Sequence, residues 1–516
     1  MRLLAVLQLA LTACAWAQGG FNTPGACWDG FETANKSAPN VWVIVMDDND
    51  YDAYGHFGDA AARTPNLDYI LGNSVVFRNC YVPMSVCRPS LAALLSGKYP
   101  ERSGVRNNGS VEVLRASETI AHALSNDDYM TFLGGKFWET RGGTPADYGF
   151  RCVESGGLQQ TLDAPFARST QAKFLEMITE TQGAWFAFWT PMLPHTPYDA
   201  PQQFVDQINI NDIDVPAWVN DLVAYRAHVR LYLANLAWLD AKIGEGLAAL
   251  VATGQIEETI IITLADNGLG FGHYSKQSPF DKGLRTHLSF MRLNHYSPQH
   301  APDLVSSVDV VPTMADLCGI ARPAFAQGLS LAPRILSQTT TPARDQISGA
   351  VYSNGTIAGF GTGVVPAALW TRTPTHKYIK FLVPVNSTTL DPLDWQLLFS
   401  PVPNIAPGTE MLFDIAADPF ERNDLSGTVE LAALLVSLRT QSADWFAAQV
   451  AAGQDPPDPC VPRSADLNFD SFVNLTDLSI LLSNFGVPGE DAAGNLNCDL
   501  DVNISDLAIL LAQFGV

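Results

Sequence analysis

Val41-Trp42-Val43-Ile44-Val45-Met46 is an unbroken apolar run that stops at Asp47-Asp48, and Thr259 to Leu264 repeats the pattern, ending just before Asp266-Asn267. Apolar runs of this length, without polar alternation, are strands covered on both faces, the kind from which parallel α/β sheets are built. Ala184 to Trp189 is a third such run. Between them lie segments of helical spacing. His228 to Val251 has helical spacing (Leu231, Leu233, Leu236, Leu239, Ile243, Leu247 and Leu250), with Gly254 as its stop, and Asp309 to Leu317 reads as a further helix. This alternation predicts an α/β sheet with helices on both faces.

The carboxyl ends of strands are where open α/β sheets place their ligand crevices. Asp47, Asp48, Asp266 and Asn267 all fall at such ends. Three carboxylates and an amide oxygen brought together repel one another unless a cation sits among them, and an all-oxygen set suits calcium or magnesium better than zinc. A lone Asp-Asp pair at a strand end commonly just faces water; two such ends in one chain form a stronger signal.

Between the two acidic strand ends lies Val86-Cys87-Arg88-Pro89-Ser90-Leu91-Ala92-Ala93-Leu94-Leu95-Ser96-Gly97-Lys98-Tyr99-Pro100. Proline belongs in the first turn of a helix and glycine past its last, so Cys87 is expected at the mouth of a helix that ends at Gly97. The free N–H groups and dipole there suit a group that must handle an anion. An isolated Cys-x-Pro is ordinarily a buried structural cysteine beside a cap. This string, however, resembles the signature of the type I sulfatases, which runs Cys-x-Pro-Ser-Arg, then Leu, Thr-Gly and Tyr-Pro. Thr64-Pro65-Asn66-Leu67-Asp68 and Val76-Phe77-Arg78-Asn79-Cys80-Tyr81 match the same family's approach to its nucleophile. The arginine expected four residues after the cysteine is Leu91 here.

The resemblance implies an alkaline-phosphatase-like mixed sheet flanked by helices and a smaller C-terminal α+β subdomain. It also implies oxidation of Cys87 to formylglycine, whose hydrated aldehyde is the nucleophile. The family's metal ligands fall on Asp47, Asp48, Asp266 and Asn267, with Cys87 completing the set around Ca2+ or Mg2+. His195, in Leu193-Pro194-His195-Thr196-Pro197, matches a loop histidine that contacts the scissile ester oxygen. Lys276, followed by Phe280, Gly283 and Arg285, matches a sulfate-binding lysine, with Phe280 where the family has Tyr. Lys136, in Gly134-Gly135-Lys136-Phe137-Trp138, keeps a second cation, while Trp138 stands where a histidine is expected. An indole only donates a hydrogen bond, so Trp138 cannot act as that base; His122, His273 and Arg141 are the neighbours in sequence that could. Implied is in-line attack on sulfur, protonation of the departing alcohol by His195 or Lys276, and expulsion of sulfate.

At 516 residues the chain predicts several domains. Its net charge of −23 argues against nucleic acid as a partner. Met1-Arg2 followed by an apolar stretch and Ala15-Trp16-Ala17 reads as a signal peptide over residues 1–17, predicting a secreted, periplasmic or cell-surface protein. Leu11-Thr12-Ala13-Cys14 also resembles a lipoprotein box. No later run is long enough to span a membrane. Cys27, Cys80, Cys152, Cys318, Cys460 and Cys498 remain as an even set available for disulfides.

The catalytic domain is expected over 38–334, with substrate-reading loops around 100–165 and 195–225, and a C-terminal subdomain over 335–452. A proline-stiffened linker follows at 453–465. Residues 466–516 hold an internal repeat that resembles a type I dockerin, a pair of EF-hand-like calcium loops. The loop positions are Asp466, Asn468, Asp470, Asn474 and Asp477 in the first copy, and Asn495, Asn497, Asp499, Asn503 and Asp506 in the second. Ser471 and Leu500 replace the usual glycine. Up to two calcium ions and a cohesin-like or cell-surface docking partner are implied. The leading expectation is hydrolysis of sulfate esters, carbohydrate sulfates foremost. A phosphate or phosphonate ester hydrolase and a non-catalytic binder of sulfated glycans are the alternatives.

Overall fold

The computed structural model describes residues 38–110, 112–137, 139, 143–154, 171–181, 183–217, 219–271, 274–353, 364–385, 405–453, 465, 473–486, 496, 502–512 and 514. The first apolar run forms β1 (Asn40–Met46), fully buried, near the middle of an eight-stranded sheet. The others are β2 (Val75–Tyr81), β3 (Met130–Gly135), β4 (Cys152–Glu154), β5 (Trp185–Thr190), β6 (Thr259–Ala265), β7 (Arg285–Met291) and β8 (Gln299–Ser306). Their order is β4-β3-β5-β1-β6-β7-β2-β8. β1 runs parallel to both neighbours, β5 and β6, and β7 pairs antiparallel with β6 and β2, so the sheet is mixed.

Alternation along β1 sends its residues into two layers. Trp42, Ile44 and Met46 meet α1 (Pro65–Gly72) and the long α3 (Leu222–Ala252). Val41, Val43 and Val45 face the other layer, with α2 (Cys87–Ser96) and α4 (Val310–Cys318). The helix expected from His228 begins earlier, at Leu222, because Asp221 caps it by accepting the N–H groups of Val223 and Ala224. α2 ends where the sequence places its stop: Gly97 sits at φ 67°, a left-handed turn that a side chain would strain.

A second, antiparallel sheet comprises β9 (Ile347–Tyr352), β10 (Pro366–Arg372), β11 (His376–Phe381) and β12 (Glu410–Asp414), with α5 (Ala432–Ala452) packed on it. An apolar cluster joins the two sheets, with Tyr81, Val82, Met84 and Val86 meeting Val351, Trp370, Phe381 and Phe413. A buried ionic group pins the same junction. Lys377 Nζ lies 2.7 Å from Asp281 and 2.9 Å from Glu421, and Tyr81 donates to Asp281 at 2.9 Å.

In the repeat, α6 (Leu475–Ser483) and α7 (Ile504–Ala512) pack together over Val473, Leu481, Leu496, Val502 and Leu510. Asp466, Asn468, Asp470, Asn495, Asn497 and Asp499 lie outside the described residues, as do the leader and Cys14. Among the described residues no helix is long and apolar enough to cross a membrane. Cys80, Cys87 and Cys318 are free and buried. Cys80 and Cys318 therefore leave the set available for disulfides: each fills core space as a small apolar group. Cys152 is disulfide-bonded.

Candidate active site

Adjacent parallel strands deliver the acids. β1 and β6 pair in register up to Met46 and Ala265, so Asp47-Asp48 and Asp266-Asn267 emerge side by side. The crossing backbones stay bonded past the strand ends, with Asp266 N donating to Met46 O at 2.9 Å and Asn49 N to Asn267 O at 3.2 Å. Asp48 turns at φ 60° and its N–H donates to Asp266 Oδ1 at 3.0 Å. Asp47 N donates to Leu193 O at 3.0 Å, drawing the 193–197 loop onto the same spot.

Cys87 is the first residue of α2 and is buried against these acids. Its Sγ donates to Asp47 Oδ1 at 3.5 Å and Asp48 Oδ1 at 3.8 Å. One ligand atom from each of Asp47, Asp48, Cys87 and Asp266 lies within 4.8 Å of every other. Two lysines close the cluster. Lys136 Nζ, just past β3, donates to Asp47 Oδ2 at 2.6 Å; Lys276 Nζ donates to Asp48 Oδ1 at 2.7 Å and to Cys87 Sγ at 3.1 Å. His195 Nε2 stands 3.4 Å from Asp48 Oδ2, and its Nδ1 is 2.5 Å from Thr196 O. The geometry thus brings Asp47, Asp48, Cys87, Lys136, His195, Asp266, Asn267 and Lys276 into one buried site.

Burial dominates the electrostatics, and pairs of opposite charge answer it. Burial pushes Asp47 up, but Lys136, His195 and Lys276 outweigh it and hold the carboxyl well below the usual range. Burial would discharge Lys136 and Lys276, yet Asp47 and Asp48 respectively hold both above the ordinary lysine value. Asp266 is pushed well up, by burial first and then by Asp47. Burial also raises the Cys87 thiol, Asp266 adding to it, and lowers the His195 imidazole against the pull of Asp48.

A divalent cation fits these residues on two observations. The carboxylates of Asp47, Asp48 and Asp266 outnumber the ammonium groups of Lys136 and Lys276 by one in a buried space. Asn267 donates through Nδ2 to Asp48 Oδ1 at 2.6 Å and Gly268 O at 2.9 Å, while its buried Oδ1 has no hydrogen-bond partner. A buried amide oxygen without a partner, next to three carboxylates, is a ligand set for a hard cation.

The pattern after Lys276 sets the loop rather than the chemistry. A Cβ on Gly283 would fall 2.2 Å from Ser275 O, so only glycine lets that backbone close under Lys276. Phe280 packs 4.2 Å from Tyr274, and Arg285 donates to Arg78 O at 2.9 Å. Leu91, where the family has arginine, is buried in the apolar layer under the sheet. Arg88 instead carries the local charge. It donates from Nε to Glu139 Oε1 at 3.0 Å, from Nη1 to Ser110 O at 2.6 Å and from Nη2 to Glu112 O at 2.7 Å. This buried clamp ties the segment bearing Cys87 to the segment bearing Lys136, and no sequence motif marked it. His122 is engaged by Asp147 O at 2.7 Å; Trp138, Arg141 and His273 lie outside the described residues.

Asn235 was also not foreseen. Fully buried on α3, it reaches the carbonyl oxygens of Pro194, His195 and Pro197 at 3.1–3.3 Å and accepts Ala200 N–H at 2.9 Å. A polar residue inside an otherwise apolar helical stripe was the available signal. Asn235→Ala leaves these loop groups unsatisfied. It is expected to cost about 1–3 kcal/mol in denaturant unfolding and to lower kcat on a sulfate ester roughly tenfold, with KM changing less, because His195 loses its support.

A sulfatase family model matches residues 39–320. Human arylsulfatase A is 26% identical over 492 residues, covering 83% of this chain and 94% of the relative. Among solved structures, a Bacteroides thetaiotaomicron protein described for the metabolism of multiple glycosaminoglycans superposes with a TM-score of 0.65 at 18% identity, over 77% of this chain and 94% of its own. The phosphonate monoester hydrolase of Agrobacterium radiobacter gives a TM-score of 0.62 at 19% identity, over 80% and 96%. These structures share the fold. With the match running from β1 through α4 and enclosing every residue of the acidic cluster, the chain belongs to the sulfatase family and is a sulfuric ester hydrolase.

Proposed function

We propose that the protein is an exported hydrolase of carbohydrate sulfate esters, working through a formylglycine made from Cys87 and a divalent cation, calcium or magnesium, held by Asp47, Asp48, Asp266 and Asn267. The observation that carries this reading is the charge of the cluster. With three acids against two ammonium groups, the cluster offers an anionic ester no net positive charge; a bound divalent cation would supply it. When bound, the cation would offset charge on the sulfate oxygens, and the hydrated formylglycine would supply the attacking hydroxyl.

The chain's own residues do the remainder. Lys276, between Asp48 and position 87, is placed to hold a sulfate oxygen and the ester oxygen. Lys136 keeps Asp47 ionised. His195, on the Asp48 side, is placed to give a proton to the leaving alcohol. Arg88 and Asn235 hold the two loops in register. Fixed charges set before reaction are the main source of rate in such a transfer.

Two further assignments belong to this reading. Cys152 in a disulfide supports an oxidising, extracytoplasmic location. The C-terminal module is proposed as a calcium-dependent docking element, its ions held by Asp466, Asn468, Asp470, Asn474 and Asp477 and by Asn495, Asn497, Asp499, Asn503 and Asp506. Its helices leave matched apolar residues exposed at equivalent repeat positions: Leu475 and Ile504, Leu482 and Leu511, Phe485 and Phe514. A cohesin-like or cell-surface partner is the occupant proposed.

Paired assays of the cation-loaded protein on aryl sulfate, phosphate and phosphonate monoesters test the activity. Preferential release of inorganic sulfate is expected. Faster cleavage of the phosphorus esters would favour the phosphate or phosphonate hydrolase, and no turnover by protein carrying verified formylglycine would refute the enzyme.

A further inference from the structure

A cleft of about 520 Å³ opens directly beside the acidic cluster. Asp50, two residues past Asp48, and Ser275, just before Lys276, both line it. Tyr232 forms its floor and ties it to the acidic loop, donating to Asn49 Oδ1 at 2.6 Å and accepting Asp50 N–H at 3.0 Å. Phe57, Tyr225, Phe271 and Tyr274 also line it, and Arg78 lies over the Phe57 ring, 4.3 Å from its centroid.

The charges in the cleft are unequal. Lys282 is spent on both oxygens of Asp50, at 2.8 and 2.7 Å, and Arg78 on Asp52 at 2.5 Å. Arg422 lies over the Tyr274 ring, 5.0 Å from its centroid. Asp59 and Asp214 also line the cleft and form no ion pair among the described residues; Asp214 is exposed at its edge. Burial raises the Asp59 carboxyl, and Asp50 and Asp214 raise it further, as expected of acids that feel one another. Four carboxylates therefore face three bases; Lys282 and Arg78 occupy Asp50 and Asp52, which leaves Asp59 and Asp214 as the acids outside an ion pair among the described residues.

We infer that this cleft receives the alcohol half of the ester and selects a sugar ring that carries no second anion, one that is uncharged or bears an ammonium group. The inference rests on the sulfatase reading and narrows it. The aromatic side chains supply apolar contact for a ring, and the surplus carboxylates accept hydroxyl or ammonium donors while repelling an additional sulfate. The sulfate that reacts sits in the cation site; the cleft reads what is attached to it.

A matched series tests this on the full-chain Cys87→Ala protein loaded with calcium, by titration calorimetry. Glucosamine 6-sulfate, N-acetylglucosamine 6-sulfate and glucosamine 2-N,6-O-disulfate present the same ester with an ammonium, a neutral amide and an anion beside it. The first two are expected to bind at least about tenfold more tightly than the third. Asp214→Lys is expected to shrink that ratio at least about threefold by removing one repulsion and adding an attraction. Equal or tighter binding of the disulfate, a ratio unmoved by Asp214→Lys, or no binding of any member would overturn the inference. Sulfate release from 4-nitrophenyl sulfate by the wild-type chain is read separately. Turnover with the disulfate bound best would remove the cleft inference and leave the sulfatase reading. The expected binding order without turnover would do the reverse.

Discussion

Cys87→Ala abolishes sulfate release, lowering kcat/KM by at least about 10⁴-fold, while the chain stays folded. The side chain lies against Lys276, Asp47 and Asp48, and it is the one thiol of the cluster among the described residues. Alanine keeps the first turn of α2, whose capping does not depend on the thiol. Losing the one small buried group beyond the Cβ of residue 87 costs only about 1 kcal/mol of core packing, so the melting temperature moves by a few degrees. A loss of activity matched by unfolding would instead assign Cys87 to the core.

Stripping divalent cations is the second large effect. The chelated protein loses at least about 10³-fold in turnover, and its affinity for sulfate esters falls as well, because the site then offers the substrate no net positive charge. Calcium or magnesium restores both, and soft zinc does not restore them fully, given the oxygen ligands. Loading also stabilises the fold. At a hundredfold excess over Kd, about 2.7 kcal/mol is gained, seen as a rise in melting temperature. Asp266→Ala shows little of this rise, since the ligand anchored by Asp48 N–H and Asn267 N–H is gone. A melting temperature indifferent to the ion would contradict the cation site.

The strands that carry the acids were legible because β1, β5 and β6 are apolar throughout. β7 was not, since Thr286, His287 and Ser289 interrupt its pattern. The fold buries them by pairing across the sheet: His287 Nε2 and Ser289 Oγ meet Thr263 Oγ1 at 2.8 and 2.6 Å, and Thr286 Oγ1 accepts Ala265 N–H at 2.8 Å. β8 escaped because it is an edge strand with exposed residues and a proline, and β3 because it ends in two glycines. In the site, residues on matched motifs assembled as a group, whereas Arg88 fills an unspecified position of the signature, Glu139 and Asn235 sit in no motif, and all three act through partners far away in sequence. Their signal was a polar side chain in an apolar setting, visible only once the packing is known. The calcium loops proposed for the repeat rest on its resemblance to a dockerin; of their positions the structure describes only Asn474, Asp477, Asn503 and Asp506, and there Asp477 and Asp506 accept the N–H groups of Asn474 and Asn503 at 2.9 and 2.8 Å.

The family resemblance puts an arginine of the oxidation signal where this chain has Leu91, so the state of residue 87 is the pivotal fact. Mass spectrometry of the peptide spanning Val86 to Lys98, from protein exported by a host with a formylglycine-generating enzyme, measures that state directly. The account predicts a residue 87 that has lost sulfur and two hydrogens and gained oxygen, and that reacts with a hydrazide probe. An intact thiol in every molecule would contradict it.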